Sequence, residues 1–150
     1  LTKLHPMFFK FSESIQELGY FILRIGLGFM IMLHGYPEIA GGMERWEALG
    51  GAMIHIGIDF YPAFWGFMAA AAEFFGGIFL MLGLFFRPAT IMLVVTMLVA
   101  TMMHLGIGDP FIPKASYPLE LGIVFLAMFF MGPRKWSMDN MLVKKYGRRY

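Results

Sequence analysis

The chain reads as an all-α integral membrane protein: an antiparallel bundle of four spanning helices with a short interfacial helix before the first. Two observations predict this. Of its 150 residues 59% are hydrophobic and 15% charged, with a mean hydropathy of +0.67, which is too apolar for a surface facing water. The apolar residues also gather in four runs near spanning length, separated by Gly, Pro and charge. Cysteine is absent, so disulfides, thiolate nucleophiles and iron–sulfur ligation by this chain are excluded. The small net charge of +2 points to no nucleic-acid partner.

The elements follow in order. Phe8, Phe11, Ile15 and Leu18 recur at helical spacing opposite Lys10, Glu13 and Glu17, which predicts a short helix lying in the membrane interface. The first span covers about 18–34 and the second about 61–86, the latter ending at Gly83 and Arg87-Pro88. Pro88 suits the first turn of a third span over 89–105, so spans two and three are antiparallel neighbours joined by a tight hairpin. Pro110, Pro113 and Pro118 mark 106–118 as a loop. The fourth span, 118–134, is stopped by Gly132-Pro133 and draws on Tyr117 and Trp136 to reach the two interfaces. A basic tail, 134–150, completes what reads as a single domain, 1–150. No removable signal peptide is visible, and a start at Leu1 leaves the natural N-terminus open.

Lys3, Lys10, Arg87, Arg134, Lys135, Lys144, Lys145, Arg148 and Arg149 fall on one side of this arrangement, and only Arg45 and Lys114 on the other. The positive-inside rule then places both termini in the cytoplasm and the 36–60 loop outside.

Two full charges interrupt the apolar runs, Arg24 in the first span and Glu73 in the second. A charge near mid-bilayer costs about 2.5–3.5 kcal/mol on insertion scales, so such residues are paired, inward-facing and tied to function by default. Arg24 shares a helix face with Gly28, Ile31 and Gly35, and Glu73 borders a stripe of Ala69, Ala72, Gly76 and Gly83. Counting from the helix ends puts both at compatible depths, which predicts a buried Arg24–Glu73 pair. A structural reading stands beside it, in which Arg24 snorkels to headgroups and Glu73 is a protonated packing donor.

The other polar residues collect at the outer end. His34, Glu38, His104 and Glu120 would meet at one membrane face and form a shallow pocket above the pair. Helix capping explains His34 or Glu120 singly about as well, because each complements a helix dipole. The 15 Met residues read as core filler, so no metal is expected. Haem ligation by His34 and His104 is a weaker alternative, and no haem is expected either.

Leu23-Arg24-Ile25-Gly26-Leu27-Gly28 with His34-Gly35, Ala72-Glu73-Phe74-Phe75-Gly76-Gly77, Leu82-Gly83-Leu84 and Arg87-Pro88-Ala89 together resemble the DoxX family. So do His104, Glu120, Gly132-Pro133 and Ser137-Met138-Asp139. The resemblance spans about 18–139, and Glu38 departs from it, standing where many relatives carry lysine. It implies a four-helix protein of a prokaryotic cytoplasmic membrane, similar to the membrane subunit of thiosulfate:quinone oxidoreductase. By resemblance the function is that of a membrane subunit of a quinone-linked oxidoreductase or electron-transfer complex, with quinone as cofactor and membrane lipids and other membrane subunits as partners.

In such a site His104 or His34 would exchange protons, Glu73 or Glu120 would relay them, and Arg24 with His34 and Glu38 would bind the ligand. The alternative is a non-catalytic accessory subunit of such a complex. A small proton-coupled transporter is a further alternative. The Arg24–Glu73 pair counts against it, since exchange needs a carboxyl free to titrate.

Overall fold

A computed structural model describes residues 13–146. Among them no strand occurs, and six α-helices follow in order: α1 Glu13–Ala40, α2 Gly42–Gly50, α3 Pro62–Leu82, α4 Phe86–Gly106, α5 Ser116–Met131 and α6 Met138–Tyr146. Four helical segments are long and apolar enough to cross a membrane, namely α1, α3, α4 and the segment Phe111–Met131 that contains α5. The fold is thus the expected four-helix membrane bundle. Phe8, Lys10 and Phe11 of the expected interfacial helix lie outside the described residues, while Ile15 and Leu18 belong to α1 itself. At 28 residues, α1 is about 42 Å long and overshoots the ~30 Å hydrocarbon layer at its ends.

The seam between α1 and α3 is set by glycine. A Cβ on Gly28 would stand 2.7 Å from the Gly77 carbonyl oxygen, and one on Gly77 would stand 2.6 Å from that of Gly28. Only hydrogen at both positions allows this approach. Tyr20, Ile31, Leu80, Phe86, Leu93 and Phe125 form the buried core between the helices.

The α3–α4 hairpin is as short as Pro88 predicts, and its closure comes from far along the chain. The Asp139 carboxylate accepts hydrogen bonds from the Phe85 and Phe86 backbone N–H groups, each at 3.0 Å. It thereby caps the exposed N–H groups that begin α4. Phe85 sits at φ 45°, a conformation costly for a bulky residue and held here by that carboxylate.

Two segments differ from expectation. The fourth helix stops at Met131 rather than reaching Trp136, because Gly132 adopts φ 71° and Pro133 cannot continue it. Residues 132–137 instead turn back beneath α1. The 36–60 stretch is not a loop: it holds the end of α1, then α2, then a 3₁₀ turn, Gly51–Ile56. Its glycines serve packing. A Cβ on Gly66 of α3 would collide with the Trp46 carbonyl, and one on Gly50 would collide with the Pro62 carbonyl, so α2 lies directly on the start of α3.

Candidate functional site

The two membrane charges do not pair. The Arg24 side chain, 1% exposed, donates from Nη1 to the Pro133 carbonyl oxygen at 2.7 Å and from Nη2 to the Trp136 carbonyl oxygen. Beside it, Tyr20 Oη donates to the Gly132 carbonyl at 2.8 Å. Arg24 Nη1 would be 2.9 Å from a Cβ on Gly83, just past the end of α3. That glycine is ten positions beyond Glu73, or about 15 Å at the helical rise. The expectation of compatible depths fails because α1 starts earlier and runs longer than its apolar stretch suggests. Residue 24 therefore meets the end of α3 and residue 35 meets its middle. Arg24 fastens the 132–136 turn to the bundle.

Glu73 faces another environment. Its Cβ lies against Gly35 of α1, where a Cβ would approach to 2.9 Å. It forms no ion pair among the described residues. It lines a cavity of 840 Å³ bounded by α3, α4, α2, the 3₁₀ turn and Glu38 of α1. The wall is apolar. Ala69, Ala72 and Met68 come from α3, Val95 and Val99 from α4, and Leu49, Met53 and Ile56 from α2 and the turn, which together roof it. Four polar side chains interrupt this lining: Glu38, Glu73, Thr96 and Trp65. The Thr96 hydroxyl is engaged, donating to the Met92 carbonyl at 3.0 Å. Trp65 Nε1 is shielded from solvent and has no hydrogen-bond partner among the described residues.

Along α4 the lining runs from Ile91 to Met103, about 18 Å. Ile91, Met92 and Val95 are 41%, 40% and 55% exposed on the outside of a spanning helix. The cavity is therefore open sideways, toward the position of lipid chains. At the α2 end it closes on Glu38, whose Oε1 is 3.6 Å from Arg45 Nη2 and whose backbone carbonyl accepts from Trp46 Nε1 at 3.1 Å.

The other expected site residues share this end of the bundle without sharing the cavity. His34 is on an exposed face of α1. His104, at the end of α4, has its Nδ1 2.7 Å from Asp109 Oδ2. Glu120 is exposed and borders a separate hollow of 370 Å³ with Phe111, Tyr117 and Ile123. The single outer pocket expected of these four residues is thus divided among four places, and of the four only Glu38 reaches the cavity. Among the described residues no group of three or more His, Asp or Glu is arranged to hold a metal ion. Trp65, Arg45 and Asp109 are absent from the expected set. No local signal singles them out: Trp65 lies in an aromatic-rich run and Asp109 beside Pro110 in a turn.

These features define a class: a four-span helical membrane protein with a laterally open, carboxylate-bearing cavity. The chain belongs to the DoxX family, whose profile matches residues 19–105. It is also similar to the Bacillus subtilis (strain 168) protein named "Putative oxidoreductase CatD", at 23% identity over 128 residues, which cover 85% of this chain and 90% of that protein. No solved structure matches it.

Proposed function

We propose that the protein is the membrane-embedded, quinone-binding subunit of an oxidoreductase complex, and that the cavity beside Glu73 is its binding site. The observation that carries this reading is the lateral opening: an apolar chamber in the span region, reached from the lipid side, whose polar groups include the unpartnered Trp65 indole N–H, the Glu73 carboxyl and, at its α2 end, the Arg45-paired carboxyl of Glu38. A quinone head with a lipid-soluble tail matches each part, since sites for such molecules are mostly apolar with a few placed polar groups. Trp65 Nε1 would donate to one carbonyl of the head, which satisfies a buried donor that otherwise costs about 1–3 kcal/mol. Glu73 would hold or release the proton at the other carbonyl, in an environment where water does not compete.

A quinone, when bound, takes two electrons and two protons to become a quinol. The electrons would come from a partner subunit, for which the chain's lack of cysteine and the name of its Bacillus relative are the supports. Arg87, Arg134, Lys135, Lys144 and Lys145 lie at the end of the bundle away from α2. That distribution supports a prokaryotic cytoplasmic membrane with this end in the cytoplasm.

The test is quinone content. The protein purified in native lipid discs should carry quinone near one per chain, and Glu73→Gln and Trp65→Phe should lose most of it with helical content unchanged. Equal content in all three would overturn the assignment of the site.

A second reading is favoured by one observation: Arg24 does not neutralise Glu73, so the carboxyl is free to exchange protons, as a small proton-coupled transporter of hydrophobic cations requires. Proton flux from loaded liposomes on adding a lipophilic cation would favour that reading, and silence would remove it.

A further inference from the structure

We propose that Glu38 and Glu73 carry protons between the aqueous face that holds α2 and the interior of the cavity, with Glu38 as the entry group. The proposal rests on the cavity being a ligand site and adds the side of the membrane from which its protons come.

The geometry begins at Gly35. Because that residue lacks a side chain, Glu73 lies directly on the α1 backbone, and Glu38 follows three residues later, one turn nearer the α2 face on the same side of α1. Both side chains line the same cavity. Glu38 also reaches outward: its carboxylate is 3.6 Å from Arg45, whose side chain is 52% exposed, while its own is 17% exposed. One residue therefore touches both the water-facing cation and the buried chamber.

Among the described residues, Glu38 is the one other ionisable side chain in the cavity lining. From α1 the titratable neighbours are Glu38 and, a turn earlier than Glu38, the exposed His34. From α2 there is Arg45, acting through Glu38, and from α3 and α4 the polar lining is Trp65 and Thr96. Toward the opposite face the α1–α3 seam is backbone against backbone at Gly28 and Gly77, and the next ionisable group is Arg24, bound to carbonyl oxygens. Arginine stays charged and cannot accept a proton there. A proton leaving the Glu38 carboxyl for the Glu73 carboxylate conserves charge and requires no co-reactant.

Dicyclohexylcarbodiimide tests this without any quinone. It partitions into lipid, and a protonated carboxyl adds to its N=C=N group and rearranges to a stable N-acylurea with no leaving group. The full chain is placed in liposomes and its orientation read with an impermeant maleimide on Lys144→Cys, the sole thiol in the variant. One aqueous face is held alkaline while the other is stepped from acid to alkaline. Labelling of Glu73, located by mass spectrometry, should follow the pH of the α2 face alone. In Glu38→Gln the response should slow roughly a hundredfold, as expected for losing a positioned acid–base group.

Labelling that follows the opposite face, or an unchanged response in a folded Glu38→Gln protein, would overturn the relay. The sidedness is read on the wild-type carboxyls, so a Glu38→Gln chain that fails to fold leaves that arm decisive. A short-chain quinone that fails to protect Glu73, with sidedness and the dependence on Glu38 intact, would remove the quinone reading and support the relay.

Discussion

Arg24 donates to the carbonyl of Pro133, 109 residues further along the chain, and so ties the first spanning helix to the turn that follows the last. The bond joins the two ends of the bundle at one face and leaves Glu73, in the middle of α3, with no cation paired to it among the described residues. Stability and chemistry are thereby assigned to different charges.

Arg24→Met should therefore lower stability and leave the cavity unaltered. Losing two charge-assisted bonds to buried carbonyls is expected to cost about 3–5 kcal/mol. Thermal unfolding in detergent checks this, and Glu73 labelling by carbodiimide in the same variant should match wild type. A stable Arg24→Met protein with altered Glu73 labelling would show that the two charges communicate after all.

Asp139→Ala should release the start of α4. Removing a cap of this kind costs about 1 kcal/mol, and the loss should appear as faster hydrogen exchange at Phe85 and Phe86, whose N–H groups it binds. Exchange at the α2–α3 contact should not change.

Gly66→Val should lift the roof of the cavity, because any Cβ there meets the Trp46 backbone. Overpacking of this sort costs about 1–3 kcal/mol. Proteolysis within 42–56 should become faster while α1, α4 and α5 stay protected. Gly26→Val is the control, since a Cβ at Gly26 has nothing within 4 Å.

The bundle was legible because its signals are local: apolar runs, Arg87-Pro88 at a helix start and Gly132-Pro133 at an end each act within a few residues. The roof was not. Residues 36–60 read as a loop, yet Gly50 within them serves a close helix crossing that only the partner Gly66 reveals. The same limit applies to the site. Arg24 and Glu73 stand out as charges in apolar runs, but their partners depend on the relative register of α1 and α3. That register follows from Gly28 meeting Gly77 rather than from the hydropathy of either helix.

Trp65→Phe should weaken quinone binding about five- to tenfold, the value of one neutral hydrogen bond, with the ring and the cavity shape kept. Titration in lipid discs with a short-chain quinone measures it. An equal loss for Trp46→Phe would argue against the role of Trp65, since Trp46 Nε1 is already engaged by the Glu38 carbonyl.

The most direct measurement is photolabelling of the protein in lipid discs with an azido-quinone, followed by mapping of the modified peptides. Labels should fall on the α3 and α4 segments that line the cavity, around Met68 to Glu73 and Ile91 to Met103, and Glu73→Gln should reduce them. Labels concentrated instead at 111–123 beside Glu120, or at His104 and Asp109, and unaffected by Glu73→Gln, would contradict the assignment of the cavity as the site.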